Sequence, residues 1–358
     1  MRRRIVISIL LDSAIASVLA IGFAVYYLGF APAAAFDSPR LVSIKKGETV
    51  RTIAGKLKAA GVIRSSVAAR IYARLSGRAA QLQPGDYAFN GSERMAEVFR
   101  HLVNGDFILV TLTIPEGLTV HQIATRIEES GLGCDSDFEK AARNGPIVKA
   151  LGFGPLGAEG YLFPATYSFP PSARIGTILA TMLARFYETL TPRVEERMFK
   201  LGLTERELLT LASIVEKEAK AEQERPLIAG VLYNRLRLNM PLQSDPTAQY
   251  NYEGVTGSAL QAVHTLSAFN TYDFVGLPPG PIANPGMASI MAALYPAQTN
   301  YLYFVARNDG THVFSRSLET HNRAVALLRK NGARKARPAP TLMARPAEQD
   351  TDASDRSN

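Results

Sequence analysis

The hydrophobic and polar positions of the chain follow three patterns that predict different kinds of structure. Residues 5–36 form an apolar run interrupted only by Asp12, and residues 13–36 carry no charge over 24 positions. Farther along, short alternating segments predict strands, and apolar residues spaced at i, i+3, i+4 and i+7 predict amphipathic helices. We therefore expect one long apolar N-terminal helix followed by a mixed set of short strands and helices.

The N-terminal run is long enough to be a transmembrane anchor. About 20 apolar residues cross the hydrocarbon core of a bilayer, and three arginines at positions 2–4 precede the run. This charge bias predicts a cytoplasmic N-terminus, an exported remainder and a single membrane crossing. The alternative is a cleaved signal peptide with its cleavage site at the alanines of residues 33–35. Because a signal h-region has roughly 7–15 residues, we favour the anchor and assign it to residues 1–40.

A sequence pattern occurs twice, 70 residues apart. Residues 47–57 and 117–127 both read G-x-T-V-x-x-I-A-x-x-[LI], each after a short alternating segment. The pattern predicts a strand, a glycine turn, a threonine N-cap and an amphipathic helix. The first copy resembles a LysM-type glycan-binding module of two strands and two helices, which we assign to residues 41–108. The alternative is that the copies share only a common supersecondary unit.

Composition and charge narrow the classes of function. With 358 residues, 47% of them hydrophobic and 20% charged, the chain should form two or three folded units. Its net charge is +8, and residues 41–105 alone contribute +7. This basic excess is either a solvated surface or an attraction to an anionic lipid or polymer; nucleic acid is an improbable partner of an exported segment. The single Cys134 excludes an internal disulfide, and the histidine spacing predicts neither a metal site nor a cofactor.

The candidate chemistry begins on a helix that starts near residue 204. Thr204 and Glu207 have the spacing of a capping box, and a buried stripe runs on from Leu208. At 100° per residue, Glu216 and Glu218 fall at opposite margins of this stripe. Partial burial there would raise the pKa of either carboxyl group, so that it keeps a proton near neutrality. Periodicity does not choose between the two, and acids paired with neighbouring Lys or Arg are common near helix ends.

Three later segments favour a binding surface over a core element. Residues 241–247, 269–272 and 276–286 are rich in Pro, Gly, Asn and Tyr, which suits a rigid loop wall around a polar ligand. Elsewhere, residues 174–200 predict one long amphipathic helix, and residues 301–305 predict a strand that pairs with residues 310–314. Residues 331–358, with three prolines and few large apolar side chains, predict a disordered tail.

Seven motifs in order resemble those of one family. They are EGYLFP at 159–164, ASIVEKE at 212–218, NRL at 234–236, LQSDPT at 242–247, NTY at 270–272, GLPPGPIANPG at 276–286 and YLYFV at 301–305. Together with the anchor and the LysM-like unit, they resemble the MltG/YceG-like family of membrane-anchored endolytic murein transglycosylases. The resemblance implies an α+β fold, with the catalytic domain at residues 109–330 in the periplasm and the anchor in the inner membrane.

The same resemblance implies the reaction. It is cleavage of the MurNAc–GlcNAc β-1,4 bond inside nascent glycan strands, which leaves a 1,6-anhydro-MurNAc end and ends strand elongation. Glu218 matches the catalytic acid/base of the family and would face the loop wall. Peptidoglycan glycan strands are the implied substrate, and peptidoglycan synthases are partners by family analogy alone.

One carboxyl group can be enough for this reaction because the C6 hydroxyl of the sugar acts as the nucleophile. The candidate substrate-binding residues are Gln243, Asp245, Asn270, Tyr272 and Asn284. Asp245 has two interpretations: it caps a turn, or it faces Glu218 across the sugar, in which case a hydrolytic muramidase is possible. A further alternative is a membrane-tethered glycan-binding scaffold without catalysis.

Overall fold

The computed structural model describes residues 2–29, 31–32, 36–91, 93–250, 262–264, 266–307 and 309–335. The helices of these ranges are α1 (Arg2–Gly29), α2 (Val50–Ala59), α3 (Ser66–Leu75), α4 (Met95–Asn104), α5 (Val120–Glu129), α6 (Asp135–Asn144), α7 (Pro146–Ala150), α8 (Ile175–Tyr187), α9 (Pro192–Leu201), α10 (Glu205–Glu218), α11 (Arg225–Arg237), α12 (Asp245–Gln249), α13 (Met287–Leu294) and α14 (Leu318–Lys335). The strands are β1 (Arg40–Ile44), β2 (Gly85–Phe89), β3 (Val110–Ile114), β4 (Ala165–Phe169), β5 (Tyr303–Ala306) and β6 (His312–Ser315). They pair antiparallel as β1–β2, β3–β4 and β5–β6. The mixed α+β class is as expected.

The structure can be compared with the predicted anchor and tail only over part of each. Helix α1 covers most of the predicted anchor, but across the described ranges no helix is both long and apolar enough to span a membrane. The anchor therefore stays a prediction, and the alanines of the alternative cleavage site, residues 33–35, lie outside the described residues. Helix α14 continues to Lys335, past the predicted boundary at residue 330. The rest of the predicted tail, residues 336–358, also lies outside the described residues.

Both copies of the repeated pattern fold as predicted. Gly47 and Gly117 have φ values of 85° and 78°, which place them in the left-handed region that glycine adopts without strain. Thr49 and Thr119 are the N-caps of α2 and α5, and each hydroxyl accepts a hydrogen bond from the backbone N–H three residues later. The shared sequence therefore encodes the same strand, turn and capped helix in each copy.

Each copy also continues to a closing strand. The first forms β1–α2–α3–β2 and the second β3–α5–α6–α7–β4, with the outer strands of each paired antiparallel. The residues assigned to the LysM-like unit, 41–108, contain these two strands and two helices and also α4, which follows β2. The LysM-like assignment and its glycan-binding character stay predictions. The buried side chains form two clusters, one between Val42 and Leu102 and a larger one between Leu112 and Leu294.

The single long helix predicted over residues 174–200 is wrong. The structure has two helices there, α8 and α9, with Thr191 as the N-cap of α9 and Pro192 in its first turn. Proline lacks an N–H group and disfavours helical backbone at the residue before it, so the chain ends one helix and begins another. The inward face of α8 is as predicted, with Leu179, Met182 and Leu183 among its buried residues.

Helix α10 lies in the larger core and carries both candidate acids. Thr204 and Glu207 form the predicted capping box, and the stripe from Leu208 to Val215 is buried. The helix packs against α11 and α13, and Ser213 on its buried face accepts a hydrogen bond of 3.0 Å from the N–H of Ile282. This bond fixes the Pro/Gly-rich segment 276–286 against the middle of α10.

Candidate active site

Glu218 is the last residue of α10, and its carboxyl group reaches the segment that follows α11. Its Oε1 accepts a hydrogen bond of 2.6 Å from the Ser244 hydroxyl. Burial raises the pKa of Glu218; the Ser244 hydrogen bond opposes this rise, the nearby negative charge of Asp245 adds to it, and His312 and Arg235 oppose it. Within the described ranges Oε2 accepts no hydrogen bond. Glu218 is thus a carboxyl group whose pKa lies above its ordinary value and whose Oε2 is available to a ligand.

Two threonines hold Ser244 in place. The Thr247 hydroxyl donates to the Ser244 carbonyl oxygen (2.6 Å) and lies 2.8 Å from the Thr271 hydroxyl. The Ser244 N–H in turn donates to the Thr271 hydroxyl oxygen (3.1 Å). All three residues are buried. Because this network fixes the Ser244 backbone, it also fixes the hydroxyl that orients Glu218.

Arg235 holds the stretch before Ser244. From α11, its guanidinium donates to the carbonyl oxygens of Pro241 (3.1 Å), Leu242 (2.9 Å) and Leu302 (2.7 Å). It also donates to the side-chain oxygen of Gln243 (3.3 Å). Arg235 is 7% exposed, so a buried positive charge joins the loop beside Glu218 to the start of the β5–β6 hairpin.

The β5–β6 hairpin places His312 near Glu218. The His312 N–H donates to Oε1 of Glu224 (3.0 Å), and its ring Nδ1 lies 2.7 Å from Oε2 of the same residue. Both side chains are largely buried. A carboxylate on Nδ1 fixes the orientation of the imidazole, so the position of this ring beside the candidate acid is set by its partner.

Asp245 and Tyr272 form the more exposed edge of the site. The Tyr272 hydroxyl donates to Oδ1 of Asp245 at 2.5 Å. Burial and this hydrogen bond raise the pKa of Tyr272, and the charge of Glu218 acts in the same direction. Asp245 is the first residue of the short helix α12, with Ser244 as N-cap and Pro246 in the first turn. The segment 241–247, predicted to be part of a rigid loop wall, therefore ends in a helix.

The three predicted amide residues differ in where they lie. Gln243 is exposed, has φ of 50° and contacts Arg235, so it belongs to the Glu218 site. Asn270 is fully buried, and its amide shapes the loop by donating to the carbonyl oxygen of Val263 (3.0 Å) and to Asp273 (2.9 Å).

Asn284 belongs to a different network. It is fully buried, donates to Oε1 of Glu159 (3.0 Å) and to the carbonyl oxygen of Leu118 (2.9 Å), and accepts from the N–H of Leu162 (2.8 Å). These contacts join the Pro/Gly-rich segment to the second copy of the repeat. The structure brings Gln243, Asp245 and Tyr272 to Glu218, and does not bring the Asn284 side chain there.

Glu216 has a different environment from Glu218. Its Oε1 lies 3.4 Å from the Arg225 guanidinium, and its Oε2 accepts from the N–H of Gly286 (3.1 Å). The side chain is 8% exposed. The segment 276–286 therefore contacts Glu216, whereas Glu218 faces the segment around Ser244. The prediction that Glu218 faces a wall made of all three loop segments is therefore wrong for residues 276–286, which contact Glu216 instead.

Three residues of the site had no predicted role: Ser244, Arg235 and His312. Ser244 and Arg235 lie in motifs quoted above. Arg235 also follows the buried Val231 and Leu232 on α11, and a charged residue on a buried helix is a signal of a buried hydrogen-bond network. His312 gives no such signal, because its partner Glu224 is far away in the sequence.

Comparisons with known proteins agree with this architecture. The YceG-like family matches residues 42–327. An endolytic murein transglycosylase of Bacillus subtilis (strain 168) is 35% identical over 303 residues, which cover 79% of this chain and 83% of that protein. One from Streptococcus pneumoniae serotype 2 (strain D39) is 33% identical over 319 residues, covering 80% of this chain but 57% of its relative. A 2.6 Å crystal structure of a yceG-like protein from Listeria monocytogenes has 30% identity and a TM-score of 0.56, covering 81% of this chain and 100% of that one. The chain therefore belongs to the YceG-like family.

Proposed function

We propose that this protein is an endolytic murein transglycosylase, a lyase that cleaves the MurNAc–GlcNAc bond within peptidoglycan strands. The observation that carries the proposal is the state of Glu218, a carboxyl group whose pKa is raised by burial and whose Oε1 is oriented by Ser244. A raised pKa favours the protonated form of a carboxyl group, which is the form that a general acid needs. The names of the relatives point to the same reaction.

The mechanism uses Glu218 twice. As an acid it donates its proton to O4 of the departing GlcNAc while the bond from C1 of MurNAc to O4 breaks. The C6 hydroxyl oxygen of the same MurNAc then bonds to C1, and its proton passes to the Glu218 carboxylate. No water is consumed, the product is a 1,6-anhydro-MurNAc end, and Glu218 is again protonated. Intramolecular attack makes a bound nucleophilic water unnecessary.

The other residues of the site act through position. Ser244 holds Oε1, so Oε2 is the oxygen that transfers the proton. Gln243, Asp245 and Tyr272 lie on the exposed side of Glu218 and are our candidates for contacts with the sugar. We propose that Asn270 contributes indirectly, because its amide fixes the loop that carries Tyr272. Asn284 instead joins the segment 276–286 to Glu159 and Leu118, so we give it no contact with the sugar.

A hydrolytic muramidase is the second candidate function. It is favoured by Asp245, a carboxylate close enough to Glu218 to raise its pKa. A second carboxylate could activate water or stabilise charge at C1, as in ordinary glycosidases. The Tyr272 hydroxyl already occupies one oxygen of Asp245, so we place the hydrolase second.

Mass spectrometry of the products tests the proposal and separates these candidates. Purified full chain, mixed with uncrosslinked glycan strands in detergent, is expected to release fragments with 1,6-anhydro-MurNAc ends. A muramidase would give reducing MurNAc ends, which are heavier by one water. Strands that stay intact while binding to the protein would contradict both enzymatic functions and support a glycan-binding scaffold.

We also infer that α1 anchors the protein in the inner membrane, with the remainder in the periplasm. The support is the uncharged run of residues 13–36 after the arginines at positions 2–4. The full chain is then expected in the membrane fraction after alkaline extraction, and a variant lacking residues 2–29 in the soluble fraction. Release of the full chain by the extraction would contradict the anchor.

A domain division at residues 108 and 109 is part of this proposal. The two hydrophobic clusters, one within residues 42–102 and one within residues 112–294, support a boundary between them. The first unit is the proposed LysM-like glycan-binding module, and its basic surface would face the substrate. A synthase partner has support from the family resemblance alone.

A further inference from the structure

A cavity of about 600 Å³ is lined by none of the residues placed around Glu218 above. Its walls are α9, the part of α11 from Gly230 to Arg237, the loop of residues 296–301 and Arg316, which follows β6. Among the described residues that line it, three are arginines, Arg197, Arg237 and Arg316, and none is acidic. The function proposed above gives this cavity no role.

The three arginines have no carboxylate partner in the described part of the chain. Three unneutralised guanidinium groups around one concave surface create a positive potential that low-dielectric walls strengthen. Such an arrangement is unfavourable for an empty protein surface and is relieved by a bound anion. The cavity therefore has the charge of an anion-binding site.

The guanidinium groups are also held in position. Nε of Arg197 donates to the carbonyl oxygen of Leu294 (2.8 Å), and the same guanidinium lies 5.0 Å from the centre of the Tyr295 ring. Arg237 donates to Oδ1 of Asn234 at 3.0 Å. Arg316 lies 5.9 Å from the centre of the Tyr301 ring. Arg197 and Arg237 each use part of their donor set on the protein, and all three arginines have N–H groups left for a ligand.

The floor of the cavity is rigid. The Asn234 amide donates to the carbonyl oxygens of Thr299 (2.8 Å) and Tyr301 (2.9 Å), which fixes the loop to α11. A Cβ at Gly230 would lie 2.5 Å from the carbonyl oxygen of Ala297, so the close packing of loop and helix requires glycine there. A preformed cavity loses little conformational entropy when a ligand binds.

We propose that this cavity binds the carboxylate groups of the peptides attached to peptidoglycan strands. The proposal rests on the function proposed above, because it assumes murein as the substrate. A guanidinium binds a planar carboxylate through two parallel hydrogen bonds, and several arginines spread around one cavity suit a flexible ligand with more than one carboxylate. The site would then recognise the peptide while the site at Glu218 acts on the glycan.

The test compares binding of two defined ligands to two proteins. The proteins are full-length Glu218→Gln, which holds the substrate without cleaving it, and the same protein with Arg237→Ala and Arg316→Ala. The ligands are a GlcNAc–MurNAc disaccharide that carries a peptide with free carboxylates and the same disaccharide without the peptide. Isothermal titration should show affinity for the peptide-bearing ligand lowered about tenfold by the two alanines, with affinity for the bare disaccharide unchanged.

Arg193→Ala is the matched control, because Arg193 is an exposed arginine on α9 that does not line the cavity. It should leave both affinities unchanged. Equal affinity of the peptide-bearing ligand for both proteins would overturn the proposal. A second result would also overturn it. If inorganic phosphate binds as tightly as the peptide-bearing ligand, and the two alanines abolish its binding, the site accepts any oxyanion.

The experiments can distinguish failure of the peptide site from failure of the proposed enzymatic function. Arg237 and Arg316 are exposed, so their replacement should leave the unfolding temperature unchanged, and a loss of binding is then a loss of contacts. If the wild-type chain cleaves no strands but the alanine variant still loses the peptide-bearing ligand, the enzymatic function fails and the peptide site stands. If the wild-type chain cleaves strands but the alanine variant binds the peptide-bearing ligand unchanged, the enzymatic function stands and the peptide site fails.

Discussion

Glu218→Gln should lower the rate of strand cleavage by about 10³-fold or more, because in the proposed mechanism this one carboxyl group acts as both acid and base. Glutamine has nearly the same shape, and its amide oxygen can still accept the hydrogen bond from Ser244. Binding of uncleaved strands should therefore persist. The measurement is the initial rate of release of anhydro ends under saturating substrate, together with retention of strands on the immobilised variant.

The pH dependence follows from the direction of the pKa shift. Burial raises the folded pKa of Glu218 above its unfolded value, so the wild-type rate should fall as the pH rises through that folded pKa and the acid form is lost. The stabilising contribution of the protonated group is present at low pH and is lost over the same rise. The unfolding temperature of Glu218→Gln relative to wild type should consequently increase as the pH rises.

Glu195→Gln is the control for the loss of a single negative charge. Glu195 is an exposed acid on α9 and contacts no residue of the site, so the variant should keep the wild-type rate and pH profile. Glu216 is a poor control because Arg225 and the Gly286 N–H both depend on it. Full activity of Glu218→Gln would remove the basis of the proposed mechanism.

Arg235→Met should reduce the free energy of unfolding by about 3–5 kcal/mol, because several backbone carbonyl oxygens lose their charged donor. Methionine fills most of the volume, but the carbonyl oxygens of Leu242 and Leu302 lose their hydrogen bonds in a buried place. Since the same guanidinium fixes the stretch before Ser244, the cleavage rate should fall as well. Denaturant unfolding and the cleavage assay measure the two effects.

Arg193→Met is the matched comparison for this second change. It removes an arginine from an exposed position on α9 and should change the free energy of unfolding by less than about 0.5 kcal/mol. A similarly small effect for Arg235→Met would mean that the chain satisfies the three carbonyl oxygens in another way. The structural role given to Arg235 would then be wrong.

Local patterns predicted the elements of this fold well. The repeated G-x-T-V pattern predicted two capped helices, and the spacing of Thr204 and Glu207 predicted the start of α10. The break between α8 and α9 was missed although Pro192 marks it. The short helix α12 was missed for a related reason, since Pro246 in its first turn is a helix-start signal that a Pro-rich segment hides.

The site was less predictable because its contacts join distant segments. Periodicity put Glu216 and Glu218 at equivalent margins, and what distinguishes them is the packing of Gly286 and Ser244, 70 and 26 residues away. The family resemblance chose Glu218, which the local sequence could not do. Asn284 was taken for a ligand contact, but a buried amide must satisfy its hydrogen bonds within the protein, and it does so on Glu159.

The attachment of the Pro/Gly-rich segment to α10 has a thermodynamic consequence. The N–H of Ile282 is bonded to Ser213, and Asn284 is fully buried, so this segment is immobilised when the chain folds. The entropy of ordering it is lost at that stage and not when a glycan arrives. We therefore expect this segment to add no folding contribution to the heat capacity change on glycan binding.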